Sequence, residues 1–247
     1  MSTANPEIGE VATRPPVRAR MIPGYESVKP LVEFLLAAVM LLLTAPLILL
    51  IMVLVKVSSP GPVIYRQRRI GLRGRAFTIY KIRTMYLDSE RDGPTWAVPG
   101  DPRVTPVGSI LRLTHLDELP QLLNVLMGEM SLVGPRPERP EFVEKLEHDL
   151  PGYRRRLAVR PGVTGLAQVQ QPPDTDLASV RRKLNYDLCY VERIGFWLDV
   201  RLIAGTVLKC LGVPFTWIGW ILQLPDPNRD LDCSSLSVVR CPSSVVR

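Results

Sequence analysis

The sequence has few of the devices that usually announce a function. It has two histidines, His115 and His148, which excludes a histidine-rich metal site; any metal here is expected to be a hard ion with oxygen ligands. Four cysteines, Cys189, Cys210, Cys233 and Cys241, form no CxxC pair and fit neither a zinc nor a disulfide framework, so reduced thiols in a cytosolic setting are expected. There is no GxxxxGK[ST] loop, GxGxxG fingerprint or GxSxG elbow, and no internal repeat. Aromatics make up only 6% of residues and do not interleave with the basic stretches, which speaks against a nucleic-acid binder.

What is present is unevenly spread. The 247 residues carry 31 Lys and Arg against 24 Asp and Glu, a formal net charge of +7 that attracts anionic lipid or a phosphorylated substrate. The run from Phe34 to Val55 holds no charge and as a helix would be about 33 Å long, enough to cross a bilayer core. It begins too far from Met1 for a signal peptide, and Lys56-Val57-Ser58-Ser59-Pro60 follows it where a cleavage site would need small residues. Pro46 interrupts the donors of its middle turn. Both flanks are basic: Arg14, Arg18, Arg20 and Lys29 before, Lys56, Arg66, Arg68, Arg69, Arg73 and Arg75 after. Basic flanks stay on the cytoplasmic side, so a spanning helix and a helix bent back to one face both stand open.

Residues 1–28 read as a disordered cytoplasmic arm. After Pro60-Gly61-Pro62, strands are expected at Val63–Gln67 and Ala76–Ile82, forming a hairpin. A proline-rich loop over 88–106 precedes a short helix, Val107–Leu113, and a second helix whose Leu119, Leu122, Leu123 and Leu126 share one face. A helix over Arg139–Leu150, a loop over 160–165 and helical pieces across 177–210 follow. Val213–Leu224, with Trp217 and Trp220, suits a membrane interface or a core helix, and the tail reads as disordered.

Chemistry is concentrated in Arg112, Asp117-Glu118, Gly134-Pro135-Arg136-Pro137 and Arg160-Pro161-Gly162. Asp117 stands where the cap of the Leu119 helix is expected; it could simply cap, or attack a phosphoryl group and become an acyl-phosphate stabilised by a helix N-terminus. Glu118 beside it could hold Mg²⁺ against phosphates. Lys81, Arg83 and Arg112 would make a phosphate pocket if they converge on the pair. Pro135 and Pro137 stiffen the chain around Arg136.

Six stretches in order carry a resemblance: Ser59-Pro60-Gly61-Pro62-Val63, Arg66-Gln67-Arg68-Arg69-Ile70-Gly71, Phe77 to Met85, Leu116-Asp117-Glu118-Leu119-Pro120-Gln121, Met130 to Pro137, and Val159 to Gly165. Over about 26–210 the chain resembles the bacterial sugar transferase family, the monotopic phosphoglycosyl transferases. The resemblance implies an α+β fold, mostly helical with a small β-hairpin, surface amphipathic helices and one re-entrant membrane helix broken at Ala45-Pro46. It divides the chain into the arm 1–28, the membrane helix 29–57, a catalytic domain 58–210 and an extension 211–247. It implies that Asp117 is the covalent nucleophile, Glu118 the Mg²⁺ partner, Lys81, Arg83 and Arg112 a positive patch, and Pro135, Arg136, Pro137 and Arg160 the nucleotide-sugar contacts. The implied reaction moves a sugar-1-phosphate from a UDP-sugar to polyprenyl (undecaprenyl) phosphate and releases UMP, on the cytoplasmic face of the bacterial inner membrane, as the first lipid-linked step of an exopolysaccharide, capsule or O-antigen. A UDP-sugar hydrolase and an inactive membrane scaffold are the competing readings. The chain departs from the family pattern at Ala45, where Ser usually precedes the proline, and at Leu166, usually Trp. Some members also carry an N-terminal multi-span domain, which this sequence is expected to lack.

Overall fold

A computed structural model describes residues 24–87, 89 and 100–227; the expected arm, most of the 88–106 loop and the C-terminal tail lie outside them. Helix α1 (Tyr25–Ser58) holds the apolar run and is, among the described residues, the helix long and apolar enough to cross a membrane. It continues through Pro46, so the expected break at Ala45-Pro46 is not an interruption of the helix. Proline costs one backbone hydrogen bond, which the flanking turns outweigh. The Thr44 hydroxyl bonds the Met40 carbonyl at 2.7 Å, one turn back, and not the Leu42 carbonyl that Pro46 leaves unpaired.

Both ends of α1 are fastened to one folded unit. Near its start, Ala37 joins the main core and Glu33 is buried; near its end, Ile51 and Val55 pack on Ile82 and Leu111. Between them Leu42, Leu43, Leu49 and Leu50 are exposed. The apolar run thus presents one side to protein and the other outward.

Strands β1 (Ile64–Ile70) and β2 (Ala76–Ile82) pair antiparallel from Ile64↔Ile82 to Ile70↔Ala76. β1 extends past the expected end at Gln67 because backbone pairing continues beneath the alternating arginines. A second, parallel pair joins β3 (Ser131–Val133) to β4 (Gly162–Thr164), where a loop was expected. Three residues are too few for a periodic signal. Around the two strand pairs lie α2 (Pro106–Thr114), α3 (Gln121–Leu126), α4 (Pro140–Asp149), α5 (Leu166–Gln170), α6 (Leu177–Arg193), α7 (Phe196–Cys210) and α8 (Phe215–Ile221).

Local chemistry sets these helices. Thr105 caps α2 by accepting from the Gly108 amide at 2.9 Å, and Asp176 and Ser179 form a reciprocal capping box at α6. The main core gathers Leu122, Val125, Met130, Leu166, Tyr190, Leu202 and Ile218; Val143, Leu146, Leu184 and Leu188 form a smaller one. α8 packs on the core as expected through the buried Ile218, while Trp217 and Trp220 are 65% and 82% exposed. Ile110 and Leu113 on α2 and Val207 and Leu211 near the end of α7 add to this outward apolar surface. The fold is α+β and mostly helical, with the small hairpin expected. Cys210, at the end of α7, is a free and exposed thiol.

β3 and β4 approach as closely as backbones can. A Cβ on Gly134 would meet the Arg160 carbonyl oxygen at 2.4 Å, and one on Gly162 the Gly134 nitrogen at 2.1 Å. Gly134→Ala should therefore cost at least the 1–3 kcal/mol typical of overpacking, about, and lower the thermal unfolding midpoint in detergent. An unchanged midpoint would contradict this crossing.

Candidate active site

Asp117 and Glu118 lie in a 3₁₀ turn, Leu116–Glu118, wedged between α2 and α3. His115 produces the wedge: it ends α2 in the left-handed region, at φ 57°, and turns the chain so that Asp117 points inward and is buried. Asp117 is not a helix cap, as one reading of the sequence had it. α3 begins after Pro120 without a side-chain cap.

The two carboxylates have opposite surroundings. Glu118 Oε1 accepts from Lys81 Nζ at 2.7 Å and from Arg136 Nη2 at 2.6 Å, while its Oε2 receives only Arg136 Nη1 at 3.3 Å. Burial alone would raise its pKa, but Arg136 and Lys81 hold it well below the ordinary carboxylate range. Asp117 has no hydrogen bond or ion pair among the described residues. Burial raises its pKa to about 6; Lys81, Arg136 and Arg112 pull it down and the Glu118 charge pushes it up. At neutral pH Asp117 is thus ionised, unpaired and more basic than an ordinary aspartate.

The partners come from different elements. Lys81 is the penultimate residue of β2, on the hairpin face that also carries Ile79 and Phe77. Asn124, fully buried on α3, fixes that strand: its side chain accepts from the Tyr80 amide at 3.2 Å and donates to the Thr78 carbonyl at 2.7 Å. Arg136 projects from the loop after β3, whose carbonyls at 135–138 are engaged. Pro135 accepts from the Gly162 amide (2.9 Å), Arg136 from Arg156 Nη2 (2.7 Å), Pro137 from Arg69 Nη1 (3.1 Å) and Glu138 from the Ile70 amide (2.9 Å). Two prolines and four anchored carbonyls leave the Arg136 backbone little freedom.

The other expected residues divide. Arg112 on α2 bonds Thr84 Oγ1 at 2.9 Å and lies close enough to act on the Asp117 charge. Arg160 has no partner among the described residues, while its carbonyl lies against Gly134. Arg83 is not in the pocket. Buried, it donates to the Ser59 carbonyl and hydroxyl at 2.8 Å and to the Pro60 carbonyl at 2.6 Å, locking the exit of α1. Residues 81 and 83 point the same way along a strand, but β2 ends at Ile82, so the alternation that would bring Arg83 beside Lys81 stops there.

Three contributors escaped the sequence reading. Arg156, in the run Arg154-Arg155-Arg156, looks like a solvated residue but is buried and paired with Asp187 at 2.7 Å. Asn124 has no local signature. Lys209, at the end of α7, donates to the Gln168 carbonyl at 2.9 Å, and its charge acts on Arg136 and Glu118; burial and Arg136 hold its ammonium below the ordinary range.

Among the described residues no group of three or more His, Cys, Asp or Glu gathers to cage a metal. The donors with spare capacity are Asp117 and Glu118 Oε2. That set fits Mg²⁺, which is commonly held by one or two carboxylates and completed by substrate phosphates.

The family model described as "Bacterial sugar transferase" matches residues 24–212. The chain is 43% identical over 189 residues to the UDP-N-acetylgalactosamine-undecaprenyl-phosphate N-acetylgalactosaminephosphotransferase of Aeromonas hydrophila, covering 76% of this chain and 45% of that protein. It is 42% identical over 179 residues to the UDP-glucose:undecaprenyl-phosphate glucose-1-phosphate transferase of Escherichia coli (strain K12), covering 72% and 39%. The Exopolysaccharide production protein PSS of Rhizobium leguminosarum bv. phaseoli is 43% identical over 175 residues, covering 68% and 88%. The chain spans less than half the length of the first two relatives. Matched over most of its length, and with the pair Asp117-Glu118 at the centre of the matched region, the chain belongs to the bacterial sugar transferase family.

Proposed function

We propose that this chain transfers a sugar-1-phosphate from a UDP-sugar to undecaprenyl phosphate in two steps through Asp117. The observation that carries the assignment is the asymmetry of the carboxylates: Glu118 is held by two cations, while Asp117 is buried, unpaired and unusually basic. A carboxylate tied up by Lys81 and Arg136 is a poor nucleophile; the free one beside it is the better one. The names of the relatives support the substrate class, since two name a UDP-sugar and undecaprenyl phosphate.

In the first step Asp117 Oδ attacks the sugar-bearing phosphorus. The Asp–phosphorus bond forms as the bridging bond to the second phosphate breaks, and UMP leaves with that oxygen. In the second step an oxygen of undecaprenyl phosphate attacks the same phosphorus and releases the aspartate. Arg136, Lys81 and Arg112 offset charge on the phosphoryl oxygens, and Arg160, with a free guanidinium, contacts the nucleotide. Mg²⁺ would be held by Glu118 Oε2 and would supply further neutralisation of the pyrophosphate.

The setting we infer is the cytoplasmic face of a bacterial inner membrane, with α1 re-entrant. Attachment of both α1 ends to one folded unit supports this, because a helix so tied cannot place its ends on opposite sides of a bilayer. The lipid substrate would approach over the outward apolar faces of α2, α7 and α8. The product would open the assembly of an exopolysaccharide, capsule or O-antigen.

Asp117→Asn should abolish UMP release while leaving membrane insertion intact; near-wild-type turnover would exclude Asp117 as nucleophile. Without lipid acceptor the wild-type enzyme should release at most one UMP per chain, whereas continuous release would make it a hydrolase. EDTA should stop turnover and Mg²⁺ restore it; EDTA-resistant turnover would remove the metal from the mechanism. Cysteines introduced at Val28 and Val57, in a background with all four native cysteines replaced by serine, should label from the same side of sealed vesicles; labelling from opposite sides would mean that α1 spans.

A further inference from the structure

The base of the membrane helix carries a charged pair that the proposed chemistry does not use. Lys29 and Glu33 lie one turn apart on α1, 3.0 Å from each other, and both side chains are nearly buried. Both point at β3, a three-residue strand with β4 on one edge. On that edge the Ser131 amide donates to the Pro161 carbonyl and the Gly134 amide to the Thr164 carbonyl, each at 2.8 Å. The amides between them face the other way, where no strand lies alongside. A buried strand edge must find partners.

Those partners are supplied by α1. Glu33 Oε1 accepts the Leu132 amide at 3.1 Å and the Val133 amide at 3.4 Å, and the Ser131 hydroxyl at 2.7 Å. Lys29 Nζ donates to the Val133 carbonyl at 3.2 Å, beside the Tyr190 hydroxyl at 2.9 Å. Asp199 of α7 completes the cluster by pairing with Lys29 and by accepting from Tyr25 and Tyr190. One turn of the membrane helix therefore stands in for a missing strand. Three residues after Val133 comes Arg136, the cation that holds Glu118.

We propose that Lys29 and Glu33 are positioning residues: docking the base of α1 on β3 holds the Arg136 loop in register with Glu118, so the site takes up its nucleotide-sugar fully only when the membrane helix is docked. The inference rests on the functional reading above for its kinetic consequence but not for its structural one. It assigns an ion pair at the foot of a membrane helix to substrate binding at the carboxylates, without direct contact with either.

The test uses the full chain in nanodiscs, with Glu33→Ala, Arg136→Met and the double variant. Hydrogen exchange followed by mass spectrometry should show Glu33→Ala losing protection at 131–138, with α4 and α6 unchanged. In single-turnover UMP release, Glu33→Ala should raise the half-saturating UDP-sugar concentration about tenfold, within the range over which residues remote from a ligand modulate its binding, and leave the saturated rate within about twofold. The double variant should bind no worse than Arg136→Met alone, because Glu33 acts through Arg136. Unchanged protection at 131–138, loss of protection across the whole domain, or additive losses in the double variant would each overturn the proposal. If Glu33→Ala fails to fold, Glu33→Gln, which keeps one acceptor oxygen, carries the same test: a partial loss confined to 131–138 supports the clamp, and none or a global loss overturns it. A wild-type chain that releases no UMP would refute the functional reading, and the exchange measurement would still decide the clamp.

Discussion

One nearly buried anion held by two cations organises this protein. Glu118 joins Lys81 of the hairpin to Arg136 of the loop after β3, three elements that share no continuous backbone. A carboxylate withdrawn from water is tolerated only when paired, and losing either cation would remove a donor that offsets its desolvation. The hairpin, the 3₁₀ turn and the β3 loop are therefore bound to a single geometry. Asp117, one residue away, is left as the group without a partner, and its position is inherited from the grip on its neighbour. Confining the ion pairs to one carboxylate leaves the other free for the role proposed for it.

Around this grip the fold distributes rigid support. The carbonyls of residues 135–138 are engaged by β4, by Arg156 and by the end of β1, Arg156 is itself locked to Asp187, and Asn124 ties α3 to β2. The close crossing of Gly134 with Gly162 lets β3 and β4 bring Arg136 and the Arg160 backbone together. The outward surfaces are apolar over much of α1, on α2 and at the end of α7 and in α8, so a charged site lies in a domain with a greasy exterior. That combination suits a reaction joining a water-soluble nucleotide-sugar to a lipid phosphate.

The sequence disclosed the elements better than their relations. The hairpin, α2, α4 and the leucine-faced α3 were legible because each has a period or a punctuating Gly or Pro. The resemblance divided the acidic pair into nucleophile and Mg²⁺ partner, but the unequal surroundings of two adjacent and similar residues were not legible, since only the approach of Lys81 and Arg136 separates them. Arg83 misled because its spacing from Lys81 matches a strand that stops one residue earlier. β3 and β4 were too short to show a period, and Arg156 was hidden in a basic run that reads as solvated surface. Pro46 suggested a bend, and helical backbone runs through it, since a missing hydrogen bond weakens a turn without dissolving it.

The central claim is that the free carboxylate becomes bonded to phosphorus. The direct measurement is peptide mapping by mass spectrometry of the wild-type chain mixed with UDP-sugar and Mg²⁺ in the absence of lipid phosphate, quenched within one turnover. The account predicts a sugar-phosphate adduct on the peptide containing Asp117, which disappears when undecaprenyl phosphate is added before the quench. An adduct on Glu118 or any other residue, or turnover to lipid product without an adduct, would contradict it.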